Sequence, residues 1–245
     1  MNGSKDEVVL PTQAIAPEAE FDGFSDAYQE LLERSVWITG EKAEYFAELK
    51  AQYLMRLAGP SFSGKVLDFG CGIGLVSRFM KVHLPAACLH GFDLSPASLS
   101  MVPAALRAEG KFTSVLSEVD SDYDLIVAAN VMHHVDRASR QDVIKDLASR
   151  LVPAGKLVIF EHNPLNPLTR WAVKICPFDV GVHLLWPAEV LTHLKAAGML
   201  RHRRQYITFF PHWLAWLRSF ESQLGWCPLG GQYVVVGEAG SASSR

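Results

Sequence analysis

Several classes of protein are excluded by what this 245-residue chain has little of. Its four cysteines, Cys71, Cys88, Cys176 and Cys227, include no pair at the Cys-x-x-Cys spacing of zinc knuckles and redox motifs. No apolar run approaches the roughly 18 residues of a transmembrane helix, and the first residues lack the apolar stretch of a signal peptide. We therefore expect a cytoplasmic protein with reduced thiols and no membrane span.

An excess of positive charge is also lacking. Lys and Arg total 23 while Asp and Glu total 26, which gives a net charge of −3. Proteins that bind nucleic acid by coating its phosphates need a cationic surface, so this balance predicts no nucleic-acid partner. The apolar fraction of 49% is high enough for a sizeable core and argues against disorder for most of the chain.

The chain divides by composition into tails, a helical segment and an α/β region. Residues 1–20 and 241–245 are polar and predict loose tails. Residues 21–60 predict two helices, the second with an apolar stripe. In the core, residues 61–240, short apolar strands alternate with helices, which indicates a parallel sheet covered on both faces. Such sheets bind ligands at the carboxyl ends of their strands.

A glycine-rich turn, GCGIG at 70–74, follows the first predicted strand and opens a helix. Glycines there permit positive φ and let the backbone approach a ligand closely, and the helix start adds unpaired N–H groups. A dinucleotide fingerprint would place its third glycine at 75, which is Leu75. The spacing therefore favours a ligand without a pyrophosphate, and a nicotinamide oxidoreductase is the rival. Asp93, at the end of the second strand, can accept hydrogen bonds from both hydroxyls of a ribose.

Four segments, VLDFGCGIGLVSR (66–78), GFDLSPASL (91–99), YDLIVAANVMHHV (123–135) and LVPAGKLVIFEHNP (151–164), together resemble the motifs of class I S-adenosylmethionine-dependent methyltransferases. The resemblance covers roughly residues 60–165. It implies an α/β fold with a Rossmann-like, seven-stranded, mostly parallel sheet, an antiparallel last strand and an N-terminal helical lid. Segments 203–210 and 230–239 can supply the sixth and seventh strands.

The resemblance also implies that S-adenosylmethionine is the cofactor. The residues it assigns to cofactor binding are Asp68, Gly70, Cys71, Gly72, Gly74, Asp93, Leu94, Ser117 and Asn130. In this assignment the glycines cradle the methionine part, Asp68 orients the loop, Leu94 packs on the adenine and Asn130 lines the methionine moiety. Many relatives carry an acidic residue after the third strand to hold the adenine amino group. Here only Ser117 or Glu118 could serve.

Candidate bases follow the fourth and fifth strands. His133 and His134 come after the fourth strand, and Glu161 and His162 end the fifth. Histidine suits proton removal because its ordinary pKa is about 6.5. Neighbouring residues usually point in different directions, so we expect only one of His133 and His134 to face the substrate. These four residues could also hold a divalent ion, but we assign no metal.

The residues predicted to contact the substrate, around the same edge of the sheet, are Tyr28, Trp37, Tyr45, Arg170 and Tyr233. The prolines of segment 163–178, within an insertion at 162–186, predict a stiff loop that forms a substrate wall. Segment 212–226 carries Trp213, Trp216 and Phe220 at helical spacing. Core packing or a dimer seam is the first interpretation, a pocket for an apolar or lipid-linked acceptor the second, and shallow membrane contact the third.

These features predict a methyltransferase that acts on a small molecule by histidine-assisted in-line O-methylation. The alternatives are N- or C-methylation of a secondary metabolite or glycan precursor, and a non-catalytic partner subunit that keeps the cofactor fold. A homodimer is left open. Nucleic-acid methyltransferases often carry Asn/Asp-Pro-Pro-Tyr/Phe after the fourth strand to hold a flipped base. The sequence NVMH at 130–133 departs from that motif, so we expect no nucleic-acid substrate.

Overall fold

A seven-stranded sheet forms the centre of the computed structural model, which describes residues 39–176 and 181–240. Each strand is a short apolar run of the kind predicted from the sequence. The strands are β1 (Lys65–Phe69), β2 (Cys88–Phe92), β3 (Phe112–Thr113), β4 (Tyr123–Ala129), β5 (Leu151–His162), β6 (Arg201–Ile207) and β7 (Gln232–Glu238).

The strand order across the sheet is β3-β2-β1-β4-β5-β7-β6. Strands β1 to β5 pair in parallel, and β7 is antiparallel to both of its neighbours, β5 and β6. The predicted Rossmann-like sheet with an antiparallel last strand is therefore confirmed. The carboxyl ends of β1, β2, β4 and β5 meet at one edge, where the predicted site residues follow.

Helices pack on both faces because alternate side chains of each strand point to opposite sides. They are α1 (Ala43–Ala58), α2 (Leu75–His83), α3 (Pro96–Ser100), α4 (Ala104–Glu109), α5 (Arg140–Ser149), α6 (Pro167–Ile175) and α7 (Pro187–Ala196). One core cluster includes Val66 of β1 and Leu54 of α1. The other includes Leu67 of β1, with Ile144 of α5 and Leu194 of α7.

Three local predictions were wrong. The sequence predicts one helix over 96–110 with a kink at Pro103, but the chain forms two helices, α3 and α4, that are separated at Pro103, the N-cap of α4. The third strand, which the sequence predicts over 111–116, has two residues and is followed by a 3-10 turn, Leu116–Glu118. The segment predicted as a stiff loop contains α6, because Pro167 fits the first helical position and Asn166 caps the N-terminus by accepting hydrogen bonds from two backbone N–H groups.

The segment with the tryptophans forms a 3-10 helix, His212–Gln223, at the surface. Trp213 and Trp216 are each 73% exposed, so the core-packing interpretation of this segment was wrong.

Part of the predicted N-terminal region lies outside the described residues, including the 1–20 tail, the first helix, Tyr28 and Trp37. The 241–245 tail lies outside them as well. Within residues 39–176 and 181–240, no helix is long and apolar enough to cross a membrane.

Candidate active site

The glycine turn after β1 is a bend that requires the absence of side chains. Gly70, Gly72 and Gly74 have φ of 74°, 52° and 76°, a region that other residues rarely adopt. A Cβ at Gly70 would lie 2.3 Å from Cγ2 of Val131. The bend is fixed to β2, since the N–H groups of Gly70 and Cys71 donate to the Phe92 carbonyl at 2.7 and 3.0 Å. It exposes backbone at the edge of the sheet, directly before α2 begins.

Asp93 holds the same bend from the end of β2. Its Oδ2 accepts a hydrogen bond from the Gly72 N–H at 2.7 Å, and its Oδ1 accepts one from the Ser95 N–H at 3.0 Å. The carboxylate therefore has a fixed orientation beside the glycines.

Asp68 lies beneath the bend on β1 and is only 1% exposed. Its Oδ2 accepts a hydrogen bond from the Ser77 hydroxyl at 2.6 Å. Burial raises the pKa of Asp68 to about 6, with the Ser77 hydrogen bond acting in the opposite direction. Burial likewise raises the pKa of Cys71 well above its usual value, so this thiol stays protonated and is a packing group of the turn.

A cavity of about 620 Å³ opens at this edge of the sheet. Most of the residues predicted to bind cofactor line it, namely Asp68, Gly70, Cys71, Gly72, Asp93, Leu94 and Asn130. Gly74 does not line the cavity and acts through the conformation of the turn. Ser117 is exposed on the 3-10 turn and does not line it either. The Glu118 carboxylate accepts a hydrogen bond from the Thr113 hydroxyl at 2.6 Å, so neither residue has a supported role at an adenine.

Asn130 provides a test of whether this cavity fits a ligand with N–H donors. Its φ is 58°, and its N–H donates to the Phe160 carbonyl at 2.9 Å, which fixes the backbone after β4. Its side-chain Oδ1 is buried and has no hydrogen-bond partner in the part of the chain that the structure describes. A buried, unpaired carbonyl is costly, and a ligand ammonium or amino group would satisfy it. With the glycine bend and Asp93, the site fits an amino-acid tail joined to a ribose.

The histidines after β4 and β5 form one cluster over a buried carboxylate. His133 Nδ1 lies 2.6 Å from Oε2 of Glu161, and Oε1 of Glu161 accepts a hydrogen bond from the Met132 N–H at 2.8 Å. The His133 ring centre is 4.2 Å from that of His134 and 5.2 Å from that of His162. Burial raises the pKa of Glu161, but the interactions with His133, together with those of His162 and His134, outweigh burial and lower the pKa.

All three histidines line the cavity, whereas Glu161 lies behind them with no exposed surface. Both His133 and His134 line the cavity, whereas we expected only one of them to face it. Glu161 was predicted as a catalytic residue, but its position makes it a residue that orients His133. No cluster of three or more metal-ligating side chains occurs within residues 39–176 and 181–240.

Only one of the described substrate candidates lies at the cavity. Tyr45 lines it, with the Arg218 guanidinium 4.2 Å from the centre of its ring. Tyr233 is fully buried, does not line the cavity and donates its hydroxyl hydrogen bond to the Leu185 carbonyl at 3.0 Å. Arg170 is exposed on α6 and also lies outside the lining. We therefore no longer assign substrate contacts to Tyr233 and Arg170.

The sequence interpretation missed several lining residues, including Phe209, Phe210 and Gln232. Gln232 precedes the misassigned Tyr233 in β7, and its Oε1 is a second buried amide oxygen without a partner among the described residues. The alternation of β7 could have suggested that one of these two neighbours faces the cavity. It could not tell which one.

Comparison with known proteins identifies the family. A family model described as a methyltransferase domain matches residues 42–218, which include the glycine turn, Asp93 and the histidine cluster. The chain belongs to this methyltransferase family. It is an S-adenosylmethionine-dependent methyltransferase, as the resemblance implied, and this cofactor is the ligand that the site fits. The oxidoreductase and the non-catalytic subunit are thereby set aside.

Solved methyltransferases share the fold at low sequence identity. A SAM-dependent methyltransferase from Archaeoglobus fulgidus has a TM-score of 0.62 at 14% identity, over 80% of this chain and 95% of the other. Magnesium protoporphyrin IX methyltransferase from Synechocystis, solved with the cofactor bound, has a TM-score of 0.59 at 13% identity, over 91% and 94% of the two chains. These likenesses confirm the fold.

The curated relatives correct the predicted acceptor. Ribosomal RNA small subunit methyltransferase C of Vibrio vulnificus is 37% identical over 139 residues, which is 53% of this chain and 41% of that protein. The protein of the same name from Chromohalobacter salexigens is 27% identical over 165 residues, 64% of this chain and 49% of that protein. This chain thus matches about half or less of each relative's length. The predictions of a small-molecule acceptor and of no nucleic-acid partner are contradicted by these relatives.

Proposed function

We propose that this methyltransferase acts on RNA and that its acceptor is an amino group of an unpaired base. The curated relatives that are named as ribosomal RNA methyltransferases support RNA as the substrate class. The shape and chemistry of the cavity support a base as the group that enters it.

The observation that carries this proposal is a pair of unpaired amide oxygens in one cavity. Asn130 Oδ1 and Gln232 Oε1 are buried, line the cavity and have no partner among the residues that the structure describes. Both oxygens are acceptors and need N–H donors. The amino-acid tail of the cofactor supplies one ammonium group, and an exocyclic amino group of a base supplies a second set of N–H donors at a planar edge.

Aromatic rings in the same wall support a flat acceptor. Phe46, Phe209 and Phe210 line the cavity, and enzymes that modify bases stack the extruded base against such rings. Outside the cavity, Arg170 and Lys174 are exposed on α6, and residues 163–176 contain no acidic side chain. These cations can contact phosphates although the net charge of the chain is −3.

The chain's own groups then orient the acceptor and remove a proton. When bound, the cofactor supplies a methyl group that is already activated for transfer. The amide oxygen of Gln232 holds the amino group of the base, while that of Asn130 faces the ammonium of the cofactor tail, and the aromatic wall fixes the plane of the ring. Glu161 lies at Nδ1 of His133 and orients its ring, and His133 is the group that takes the proton that the amino nitrogen loses.

The decisive experiment measures transfer of a radiolabelled methyl group from S-adenosylmethionine to RNA. Purified chain is incubated with assembled small ribosomal subunits and, separately, with protein-free small-subunit RNA. We expect label that ribonuclease releases, and a large reduction in labelling by Gln232→Leu. His83→Gln, which alters a histidine outside the cavity, is the matched control and should label at the wild-type rate. Absence of label in both RNAs from protein that still binds the cofactor product would exclude this acceptor.

A cytoplasmic location forms part of the same proposal, since ribosomal RNA is a cytoplasmic substrate in bacteria.

A further inference from the structure

One cation in the wall of the cavity has no role in the chemistry described above. Lys50 is on α1, is 4% exposed and lines the cavity. It is the only Lys or Arg among the described lining residues. Lysine is rarely buried to this extent unless it is paired, so its position requires an explanation.

The ammonium group of Lys50 has no hydrogen bond or ion pair with any other residue in 39–176 or 181–240. Its Nζ lies 6.0 Å from the centre of the Phe160 ring, at the limit of a cation–π contact. Burial lowers the pKa of Lys50 to about 8, while the Glu161 and Asp68 carboxylates act in the opposite direction. The group is thus mainly charged at neutral pH, and a buried charge of this kind is costly until an anion reaches it.

The cofactor of this family carries one anion that suits this position. Its amino-acid tail has one ammonium and one carboxylate group. The tail's ammonium has acceptors available in Asp68, beneath the glycine bend, and in the unpaired Oδ1 of Asn130. For the tail's carboxylate, Lys50 is the one Lys or Arg among the described lining residues that can supply a positive charge.

We propose that Lys50 binds the carboxylate of the cofactor's amino-acid tail, so that Lys50 and Asp68 together recognise the two opposite charges of that tail. This role depends on S-adenosylmethionine as cofactor and is independent of the acceptor. Lys50 is then a cofactor-specificity residue on α1, outside the four sequence motifs that revealed the family.

The test is calorimetric binding of two ligands that differ only in the carboxylate. S-adenosylhomocysteine carries it, and decarboxylated S-adenosylhomocysteine keeps the sulfur, nucleoside and ammonium group. We expect the wild-type protein to prefer the first by about 10- to 100-fold, the size of a hydrogen bond to a charged partner. Lys50→Met should lose most of that preference by weakening the first ligand only.

Three further variants complete the test. Lys42→Met makes the same change at the exposed N-cap of α1 and should keep the full preference. Lys50→Arg keeps the positive charge and should retain a preference for the carboxylate. If Lys50→Met does not fold, Lys50→Gln gives the same comparison with a polar, neutral side chain. An unchanged preference in a folded neutral variant, or equal binding of the two ligands by the wild type, would overturn the proposal.

Discussion

Replacing Glu161 with glutamine perturbs the most deeply buried charged contact of the site. Both oxygens of Glu161 accept hydrogen bonds, one from Met132 N–H at 2.8 Å and one from His133 Nδ1 at 2.6 Å. The His133 and Glu161 side chains are 1% and 0% exposed. Glutamine has the same shape but only one acceptor oxygen, so it cannot accept from both donors. One of the two contacts must be lost or reversed.

The loss can be estimated from the strength of a hydrogen bond to a charged group, about 1.5–3 kcal/mol. At about 2–4 °C for each kcal/mol in a chain of this size, Glu161→Gln should lower Tm by about 3–12 °C. The pKa of Glu161 is lowered in the folded state from its usual 4.5. Its stabilisation is therefore present above about pH 4.5 and is lost as pH falls through the folded pKa, so wild type and variant should converge in acid.

The same variant should reverse the tautomer of His133. When the amide N–H of glutamine donates to His133 Nδ1, Nδ1 becomes the acceptor and the ring proton moves to Nε2. Nitrogen-15 NMR of the ring reads this change directly, without any acceptor substrate. If Nε2 takes the proton during transfer, turnover should fall by about 10²- to 10⁴-fold. Binding of S-adenosylhomocysteine should be unchanged, because Glu161 does not line the cavity.

Glu238→Gln is the matched control, since its ion pair with Arg201 is long, at 3.7 Å, and largely exposed on the arginine side. Surface pairs of this kind contribute about 0–1 kcal/mol. If the Glu161→Gln protein has the wild-type Tm and an unchanged His133 tautomer, the contacts described between Glu161, Met132 and His133 are refuted. A reversed tautomer with full turnover on RNA would remove His133 as the base and leave the fold intact.

Three further measurements follow from other contacts. Asp93→Ala should sharply weaken calorimetric binding of S-adenosylhomocysteine, since it removes the carboxylate that holds the Gly72 N–H; wild-type affinity would remove Asp93 from the cofactor site. Asp68 has its folded pKa raised to about 6, so its ionisation costs stability as pH rises from 3.8 through 6, and Asp68→Asn should flatten that decline in urea unfolding; parallel pH curves would contradict it. Tyr233→Phe should cost about 1 kcal/mol of unfolding free energy through loss of its bond to the Leu185 carbonyl, with turnover unchanged; lost turnover at full stability would return Tyr233 to the substrate site.

The predictions made from the four motifs and their family resemblance succeeded for the fold and the cofactor because the motifs are local. Three closely spaced glycines after an apolar strand can be read from a few consecutive residues, and all three have positive φ in the structure. Asp93 follows its strand directly, so its place at the edge needs only the rule that parallel strands end together. The adenine assignment to Ser117 has no support because the third strand is two residues long and Ser117, on the 3-10 turn after it, does not line the cavity.

The substrate side could not be predicted because it depends on which face of each element is covered. Gln232 and Tyr233 are neighbours in β7 and point to opposite faces, so alternation identifies the two choices and packing selects between them. The acceptor class was predicted incorrectly because the prediction used the net charge of the whole chain, which does not show how charge is distributed around the cavity.

The amino-acid sequence by itself determined the alternating strands and helices, the bend that excludes side chains and the family that both indicate, because these depend on backbone period and on glycine. Only the tertiary structure decided that Glu161 lies behind His133 and that Lys50 faces the cavity rather than water. Both outcomes depend on contacts between distant segments, β5 with the turn after β4 and α1 with the sheet, and no local pattern encodes which surface those contacts will cover.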